Sequence, residues 1–429
     1  MNYAAKGCPA RSEADAQPAR EQNIAAIIAY FESGIKDSCE NVGIELEHTI
    51  VRGEDKTPVS YSDEHGVHWI LSQLQEDYPT PLMDGSDLIG VVRPWEAITI
   101  EPAAQLEISA GPFNDMPTAY TALDTFERKL EGILRPQGMQ ALLLGYHPTA
   151  KALDLELIPK RRYRFMNDYF EKIGPFGQRM MRGSCSTQVS IDYDSTDDCL
   201  RKMRLASALV PLLSFVSDNA PAFEGRPREH YLVRTEIWNE CDPDRCRLVP
   251  GVLDPDFSLR RYAAYILDTP AILVPDASER WRATSQTFGE VYAETPMTRA
   301  DVEHALSMFF NDVRLKTYVE IRPADAMPVP YAVAYASLVK GLFYDEDNLE
   351  RWLSRFAAVT NADVVRAKAD LMEHGWDAKV YGTEIGMLLD DLIADARKGL
   401  PETDRSYLEP LAKLVASRIT LAEIAARTA

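Results

Sequence analysis

Length, composition and charge limit the class of protein. The chain has 429 residues, of which 46% are hydrophobic and 26% are charged, as in ordinary globular proteins. Its formal net charge of −20 argues against nucleic acid or an anionic membrane as the main partner, because both require clustered Lys and Arg. No apolar run approaches the ~20 residues that span a bilayer. We therefore predict a cytoplasmic protein that acts on small molecules.

The first half of the chain shows both helical and strand patterns. The polar residues 1–20 predict a flexible leader without a signal-peptide core. Apolar residues at helical spacing predict helices over 21–36, 66–77, 117–134 and 199–218. Apolar and alternating runs predict strands over 44–47, 88–92, 98–108, 139–146 and 188–193. The predicted strands over 88–92 and 98–108 could form a hairpin that turns at residues 93–96.

The second half changes to helices alone. A predicted helix over 301–310 leads into a last predicted strand at 318–322. Beyond it, helical spacing covers 331–343, 347–358, 362–373, 385–398 and 401–428. Strands and helices followed by helices only are typical of an α+β fold with a helical C-terminal part.

Four of the predicted strands place carboxylates or amides at alternate positions. They cover 44–47, 98–108, 188–192 and 318–322. In a strand, alternate side chains point to opposite faces, so the Ile, Leu and Val residues face a core and the Glu and Gln residues share the other face. One such strand is typical of a solvated sheet face, and spacing alone does not make the four strands neighbours. On one sheet, they would gather negative charge that only cations could neutralise at low cost.

The residue types predict a magnesium site. Hard cations such as Mg²⁺ prefer oxygen ligands and are usually bound together with substrate phosphates. Two or three ions could be held by the candidate ligands Glu45, Glu47, Glu101, Glu107, Gln188 and Glu320.

Arginine is the second part of the predicted site. The chain has no glycine-rich phosphate loop of either common type, so metal and arginine would hold the phosphates of a nucleotide. Arg322, two residues after Glu320 on the same face, is placed to neutralise a phosphoryl group in transfer. Arg234 could grip a carboxylate or phosphate through two parallel hydrogen bonds. The residues alone thus predict a Mg²⁺-dependent enzyme on an α+β fold.

The same motifs resemble those of a known family. The ordered series comprises 42–47, 98–109, 162–166, 180–181, 188–193, 220–225, 234–238, 242–245 and 313–325. Together these segments resemble the glutamate–cysteine ligase family of the plant and proteobacterial type, over roughly residues 40–345. The plant-type pattern has two glycines after Glu-Pro, where this chain has Ala103 and Ala104.

The resemblance implies a fold and a reaction. It implies a curled, mostly antiparallel sheet like that of glutamine synthetase, with flanking helices, in a catalytic domain over 21–340 and a helical subdomain over 341–429 packed on it. It implies the joining of L-glutamate to L-cysteine through a γ-glutamyl phosphate, with ATP as co-substrate and Mg²⁺ as cofactor. The six candidate ligands would bind metal, Arg322 and Glu320 would act in catalysis, and Arg234 and Trp238 would bind the amino acid substrate.

Alternatives remain open from the sequence. The same chemistry could use another amine acceptor or serve ergothioneine biosynthesis, and a catalytically silent, nucleotide-binding relative is a second alternative. A metal-dependent hydrolase lacks support, because no Ser–His or Cys–His signature accompanies the carboxylates. The oligomeric state is expected to be a monomer or a homodimer.

Overall fold

The computed structural model describes residues 13–275 and 280–428. The α-helices of this part are α1 Glu13–Glu32, α2 Val67–Leu74, α3 Met116–Leu134, α4 Arg161–Phe170, α5 Gly177–Gly183, α6 Thr196–Val216, α7 Val233–Asn239, α8 Leu259–Asp268, α9 Phe288–Val291, α10 Arg299–Leu306, α11 Val329–Phe343, α12 Glu346–Arg355, α13 Asn361–His374, α14 Ile385–Gly399, α15 Glu409–Ser417 and α16 Leu421–Thr428. The strands are β1 Val42–Arg52, β2 Thr57–Pro58, β3 Thr80–Asp84, β4 Asp87–Arg93, β5 Glu96–Ile100, β6 Leu106–Phe113, β7 Met139–Leu142, β8 Ser186–Ile191, β9 Ala222–Phe223, β10 Arg226–Pro227, β11 Cys246–Arg247, β12 Leu273–Pro275, β13 Trp281–Ala283, β14 Phe310–Asn311, β15 Val313–Leu315, β16 Val319–Asp325, β17 Lys379–Val380 and β18 Thr383–Glu384.

A ten-stranded antiparallel sheet carries the fold. Its main path runs β15-β16-β8-β1-β6-β5-β4-β3, and β2 and β7 pair with the second half of β1. Strand β1 thus serves two sets of neighbours, because its first half pairs with β6 and β8. The predicted α+β fold, a curled and mostly antiparallel sheet with flanking helices, is confirmed.

Two apolar helices cover one face of this sheet. On β1, Val42, Ile44 and Leu46 are buried at alternate positions, as the sequence pattern predicts. Helix α11 contacts β1 and β8, and helix α6 contacts β16. Almost every residue of α11 is buried, and a helix that is apolar all round belongs in a core. The polar alternate residues of β1 are therefore left on the opposite face.

The predicted strand over 98–108 is wrong at its centre. Strand β5 ends at Ile100, and β6 begins at Leu106. A turn separates them because Ala104 adopts a left-handed backbone conformation with φ of 66°. The turn is closed by hydrogen bonds from the Ala104 amide to the Glu101 carbonyl and from the Glu101 amide to the Gln105 carbonyl, both 2.9 Å. The predicted hairpin turn at residues 93–96, in contrast, is found between β4 and β5.

The two ends of the chain differ from prediction. The helix over 401–428 is wrong: a 3₁₀ turn at 405–408 is followed by α15 and α16, which Arg418 separates with a left-handed φ of 50°. At the other end, the observed helix α1 begins at Glu13, so it extends into the range of the predicted leader. The guanidinium of Arg20, in this helix, pairs with Asp268 at 2.8 Å, and the flexible leader over 1–20 stays a prediction. Residues 1–12 lie outside the described residues.

The C-terminal helices pack on the sheet domain through a buried ion pair. Lys340 of α11 bonds Asp404 at 2.7 Å, and Asp404 also accepts a hydrogen bond from the amide of Met116 at the start of α3. Buried apolar residues from α1 to α16 belong to one continuous core. The boundary at residue 340 between two subdomains stays a prediction. In the described residues, no helix is both long and apolar enough to cross a bilayer.

Candidate active site

The strand register brings the predicted carboxylate strands together. Glu45 of β1 lies opposite Gln188 of β8, and Glu47 of β1 lies opposite Glu107 of β6. Glu320 is carried by β16, the next strand beyond β8. Segments far apart in sequence therefore present their polar residues on one face of one sheet, which alternation alone did not establish.

A cavity of about 470 Å³ lies over this face. Eight of the nine predicted site residues line it: Glu45, Glu47, Glu101, Glu107, Gln188, Arg234, Trp238 and Arg322. The ninth, Glu320, has an exposed fraction of 0% and does not belong to the lining. The cavity has the size of a small-molecule site, and its walls combine charged groups of both signs.

One side of the cavity is cationic. Glu320 bonds Arg314 at 2.6 Å, and its carboxylate lies 2.9 Å from the Lys316 ammonium and 3.2 Å from the Arg322 guanidinium. Burial would raise the pKa of Glu320, but these three cations outweigh it and hold that pKa well below the usual value. Arg322 also donates a hydrogen bond to the amide oxygen of Gln188. The arginine is thereby fixed at the cavity wall.

The other side of the cavity is acidic. Burial, followed by repulsion from Glu45, Glu101 and Glu47, raises the pKa of Glu107 well above its usual value. Burial, together with repulsion from Glu101, raises the pKa of Glu47 to about 7, although Ser186 donates two hydrogen bonds to it. Burial and then the charge of Glu320 raise the pKa of Glu45. These carboxylates repel one another and would be stabilised by an added cation.

Hydrogen bonds fix the acidic side chains. Glu107 accepts from the hydroxyls of Thr99 and Ser109, at 3.0 and 3.1 Å. Glu101 lies in the turn after β5 and accepts from the hydroxyl of Tyr163 at 3.3 Å. Among the described residues, no three His, Cys, Asp or Glu side chains are arranged closely enough to form a preformed metal site. The candidate ligands nevertheless fit a hard cation such as Mg²⁺ by type and charge, because they are carboxylate oxygens together with the amide oxygen of Gln188.

Helix α7 brings two more predicted residues to the cavity. The sequence patterns did not predict this short helix, which begins after Leu232 in a left-handed conformation. Arg234 and Trp238 lie four residues apart and so share one face, with the guanidinium 5.5 Å from the indole. Nε of Arg234 and Nε1 of Trp238 are buried without a hydrogen-bond partner in the chain. Buried donors without partners are rare, and here both belong to residues that line the cavity.

The sequence interpretation missed several lining residues. Among the polar ones are Arg162, Tyr163, Ser186, Arg314 and Lys316. A signal for two of them was present, because Arg314 and Lys316 lie at alternate positions before Glu320, and the register places Arg314 directly opposite Glu320. Ser186 and Arg162, which lies in α4, belonged to no alternating or helical pattern that marked them as site residues.

The chain is similar to known proteins in sequence and in fold. The sequence profile of the glutamate–cysteine ligase family 2 matches residues 41–417. The chloroplastic glutamate–cysteine ligase of Brassica juncea is 29% identical over 411 residues, which are 92% of this chain and 79% of that protein. The Arabidopsis thaliana enzyme is 28% identical over 410 residues, with 92% and 78% covered. A crystal structure of glutamate–cysteine ligase from Francisella tularensis in complex with AMP has a TM-score of 0.58 and 13% identity, over 91% of this chain and 85% of that one.

The family profile defines the class of the protein as an ATP-dependent carbon–nitrogen ligase, and the sheet has a glutamine synthetase-like fold. The likeness to the Francisella structure supports the fold, and the profile supports the class. The chain belongs to the glutamate–cysteine ligase family 2. The predicted family and enzyme class are confirmed.

Proposed function

We propose that this cavity joins the γ-carboxyl group of L-glutamate to the amine of L-cysteine with ATP, as the first step of glutathione biosynthesis. The observation that carries the proposal is the division of the cavity into an acidic side and a cationic side. A ligase of this class needs both, because a metal–nucleotide complex and a phosphoryl group in transfer must be held side by side. The choice of L-glutamate and L-cysteine as substrates rests on the family to which the chain belongs.

The cationic side serves the phosphoryl transfer. The γ-carboxylate of glutamate attacks the terminal phosphate of ATP, which forms γ-glutamyl phosphate and releases ADP. Arg322 lies at the wall with its guanidinium held by Glu320 and Gln188, so it can stabilise developing negative charge without reorganising. The amine of cysteine then attacks the acyl carbon and displaces phosphate. The protein contributes mainly positioning and charge neutralisation.

Arg234 and Trp238 serve the amino acid. Nη1 of Arg234 donates to the carbonyls of Arg322 and Pro323 at 3.3 Å, which anchors the guanidinium to the strand of the catalytic arginine. Nε of Arg234 and the indole N–H of Trp238 have no partner in the chain, so a shift of these side chains would let them donate to a substrate carboxylate. We propose that they hold the glutamate substrate beside Arg322.

The acidic side holds magnesium in this proposal. The ligands would be Glu45, Glu47, Glu101, Glu107 and Gln188, with two or three ions as the predicted number. When bound, Mg²⁺ neutralises the carboxylates and the phosphates of ATP. Glu320 was also a predicted ligand, but its oxygens already lie 2.6 to 3.2 Å from three cations. We therefore propose that Glu320 chiefly orients Arg322.

Substrate dependence tests the function. Purified protein with Mg²⁺, ATP, glutamate and cysteine should release phosphate and form γ-glutamylcysteine, detected by mass spectrometry. Omission of either amino acid or of Mg²⁺ should abolish both signals. An absence of phosphate release under these conditions would overturn the proposal.

An acceptor screen tests the choice of amine. Cysteine should give the highest kcat/KM among small amines in an assay coupled to ADP release. Faster turnover with a different amine would keep the ligase chemistry but replace the acceptor. We propose the cytoplasm as the location, which cell fractionation would test.

A further inference from the structure

The end of helix α1 reaches the active-site cavity. Tyr30, near the end of this helix, lines the cavity. Buried hydrogen bonds hold the helix in place, because the side chain of Asn23 donates to the carbonyl of Tyr292 at 2.9 Å and accepts from the amide of Met297 at 2.8 Å. Helix α1 precedes residues 41–417, which the family profile matches, so the match itself says nothing about its role.

Two routes of contact join the end of α1 to strand β15 and the turn after it. In the first, the ring of Phe31 stacks on Tyr262 of α8 with centroids 5.4 Å apart, and the hydroxyl of Tyr262 accepts a hydrogen bond from the amide of Leu315 at 3.2 Å. In the second, Tyr193 lies just after β8, and its hydroxyl hydrogen is shared between the carbonyls of Phe31 at 2.5 Å and Lys316 at 3.1 Å. Both routes end at residues 315 and 316.

A glycine permits the close approach of these segments. Gly34 follows α1, and a Cβ atom at this position would overlap the hydroxyl of Tyr193 and lie 2.5 Å from the carbonyl oxygen of Thr317. Any side chain here would therefore push the turn at 316–318 away from α1. Tyr193 itself is 1% exposed. The junction is tightly packed, and we expect it to hold the turn in one place.

The turn carries a lysine of the cationic side. Lys316 lines the active-site cavity, and its ammonium lies 2.9 Å from Glu320 and 3.3 Å from the hydroxyl of Tyr318. Glu320 also lies 3.2 Å from Arg322, which we propose to stabilise the phosphoryl group. The stem of a lysine is flexible, so a backbone that is held limits the positions that the ammonium can take.

We propose that Tyr193 is a positioning residue of the active site, which fixes Lys316 by joining its turn to the end of α1. The effect on catalysis rests on the proposed function, and the inference goes beyond it because Tyr193 does not line the cavity. A cation that is already in place stabilises developing negative charge without reorienting during the reaction. Loss of the Tyr193 hydroxyl should therefore slow the chemical step and leave substrate binding largely intact.

A substitution that removes only the hydroxyl tests the inference. Tyr193→Phe should lower kcat about fivefold, the typical effect of one hydrogen bond, and change the KM for glutamate less than about twofold. Tyr61→Phe is the matched control, because the buried hydroxyl of Tyr61 also donates to a backbone carbonyl, that of Leu88, at 3.0 Å, and Tyr61 does not line the cavity. It should lose similar stability in urea unfolding and keep the wild-type kcat. Similar losses of kcat in the two variants would overturn the proposal.

A double substitution shows whether the effect passes through Lys316. Lys316→Met has no ammonium to position, so the further change Tyr193→Phe should alter its kcat less than about twofold, since coupled positions are not additive. An equal fold loss of kcat from Tyr193→Phe in the two backgrounds would overturn the proposal and leave Tyr193 with a structural role only.

Acetylation with acetic anhydride, read by mass spectrometry, separates this inference from the proposed function. The side chain of Lys316 is 25% exposed, so the reagent can reach it. Tyr193→Phe should raise the labelling rate of Lys316 about fivefold, because the turn opens more often, and leave that of the exposed Lys413 of α15 unchanged. Faster labelling of Lys316 supports the inference even if no γ-glutamylcysteine forms. An unchanged rate overturns it, even if the ligase reaction is present.

Discussion

Ala104 closes the turn between β5 and β6 in a backbone conformation that favours glycine. Its φ is 66°, and its side chain is 2% exposed. This conformation costs a residue with a Cβ atom about 1 kcal/mol or more, whereas glycine adopts it with little strain. The turn carries Glu101 to the cavity, so the strain is stored beside the acidic side of the site.

Ala104→Gly should therefore stabilise the protein. The gain in free energy of unfolding should be about 0.5–1 kcal/mol, because relief of strain exceeds the added entropy of the unfolded chain. Urea denaturation measures it. Ala103→Gly is the control, since Ala103 does not have a positive φ and should lose stability or stay unchanged. A loss of stability in Ala104→Gly equal to that in Ala103→Gly would contradict this explanation.

His147 should make the fold sensitive to acid. It is 2% exposed, and its Nδ1 accepts hydrogen bonds from the amides of Thr149 and Ala150. Burial lowers the pKa of His147 from 6.5 to about 4, so the folded state keeps the neutral ring. As pH falls from 6.5 to 4, the unfolded chain binds a proton that the folded chain does not, and stability is lost in that window.

The expected loss is roughly 3 kcal/mol across the window, as order of magnitude. The amide oxygen of Asn in His147→Asn can accept the same hydrogen bonds. Between pH 6.5 and 4, the variant should therefore lose less free energy of unfolding than wild type, by about the same amount. Urea unfolding at the two pH values measures both proteins. Parallel pH profiles for wild type and variant would count against the assignment.

At the scale of single residues, sequence patterns found the carboxylates that the sheet strands bring to the cavity. Glu45, Glu47 and Glu107 followed from alternation, which is a property of any strand. The partners of Glu320 did not follow as readily, because ion pairs depend on which strands pair and in what register. Arg314 is the clearest case, since it lies opposite Glu320 only after β15 turns back on β16.

Helices with a long apolar stripe were the most predictable elements. Helix α3, predicted over 117–134, is observed over Met116–Leu134, because its apolar spacing repeats for five turns and Asp115 caps its start. Helix α7 escaped prediction since seven residues are too few to establish a period. The break before α16 escaped prediction because Arg418 adopts a left-handed conformation, which is uncommon for residues other than glycine.

The buried pair of Lys340 and Asp404 joins the helical C-terminal part to the rest. Asp404 accepts from the ammonium of Lys340 and from the amide of Met116, and its exposed fraction is 0%. Asp404→Ala would leave a buried ammonium unpaired, and we expect a loss of about 3–5 kcal/mol. Asp391→Ala removes the exposed partner of Arg355 and should cost less than about 1 kcal/mol. Similar losses from urea unfolding of the two variants would show that the buried pair is not a special link.

At the scale of the whole molecule, the sheet separates charge. Strands β15 and β16 bring Arg314, Lys316 and Arg322 to one side, and strands β1 and β6 bring carboxylates to the other. The sequence predicted β1, β6 and β16 with their polar faces but not β15, and the order of the sheet and the resulting separation depended on long-range pairing. Both sides are needed for the proposed reaction, since the acidic side holds Mg²⁺ with ATP and the cationic side stabilises the phosphoryl group.

Glu107→Gln isolates the acidic side with little change of shape. Glutamine keeps an oxygen that can accept from Thr99 and Ser109, and it removes one of the mutually repelling charges. The metal-free variant should therefore be at least as stable as wild type, which its Tm will check. Loss of a charged oxygen ligand should nevertheless slow the reaction strongly.

The rate of γ-glutamylcysteine formation at saturating Mg²⁺, ATP, glutamate and cysteine tests the central claim most directly. Wild type should form the product, and Glu107→Gln should form it at least about 100-fold more slowly, a typical effect of losing one charge-stabilising group in an active site. Equal rates in the two folded proteins would contradict the claim that this carboxylate face of the sheet is the catalytic metal–nucleotide site.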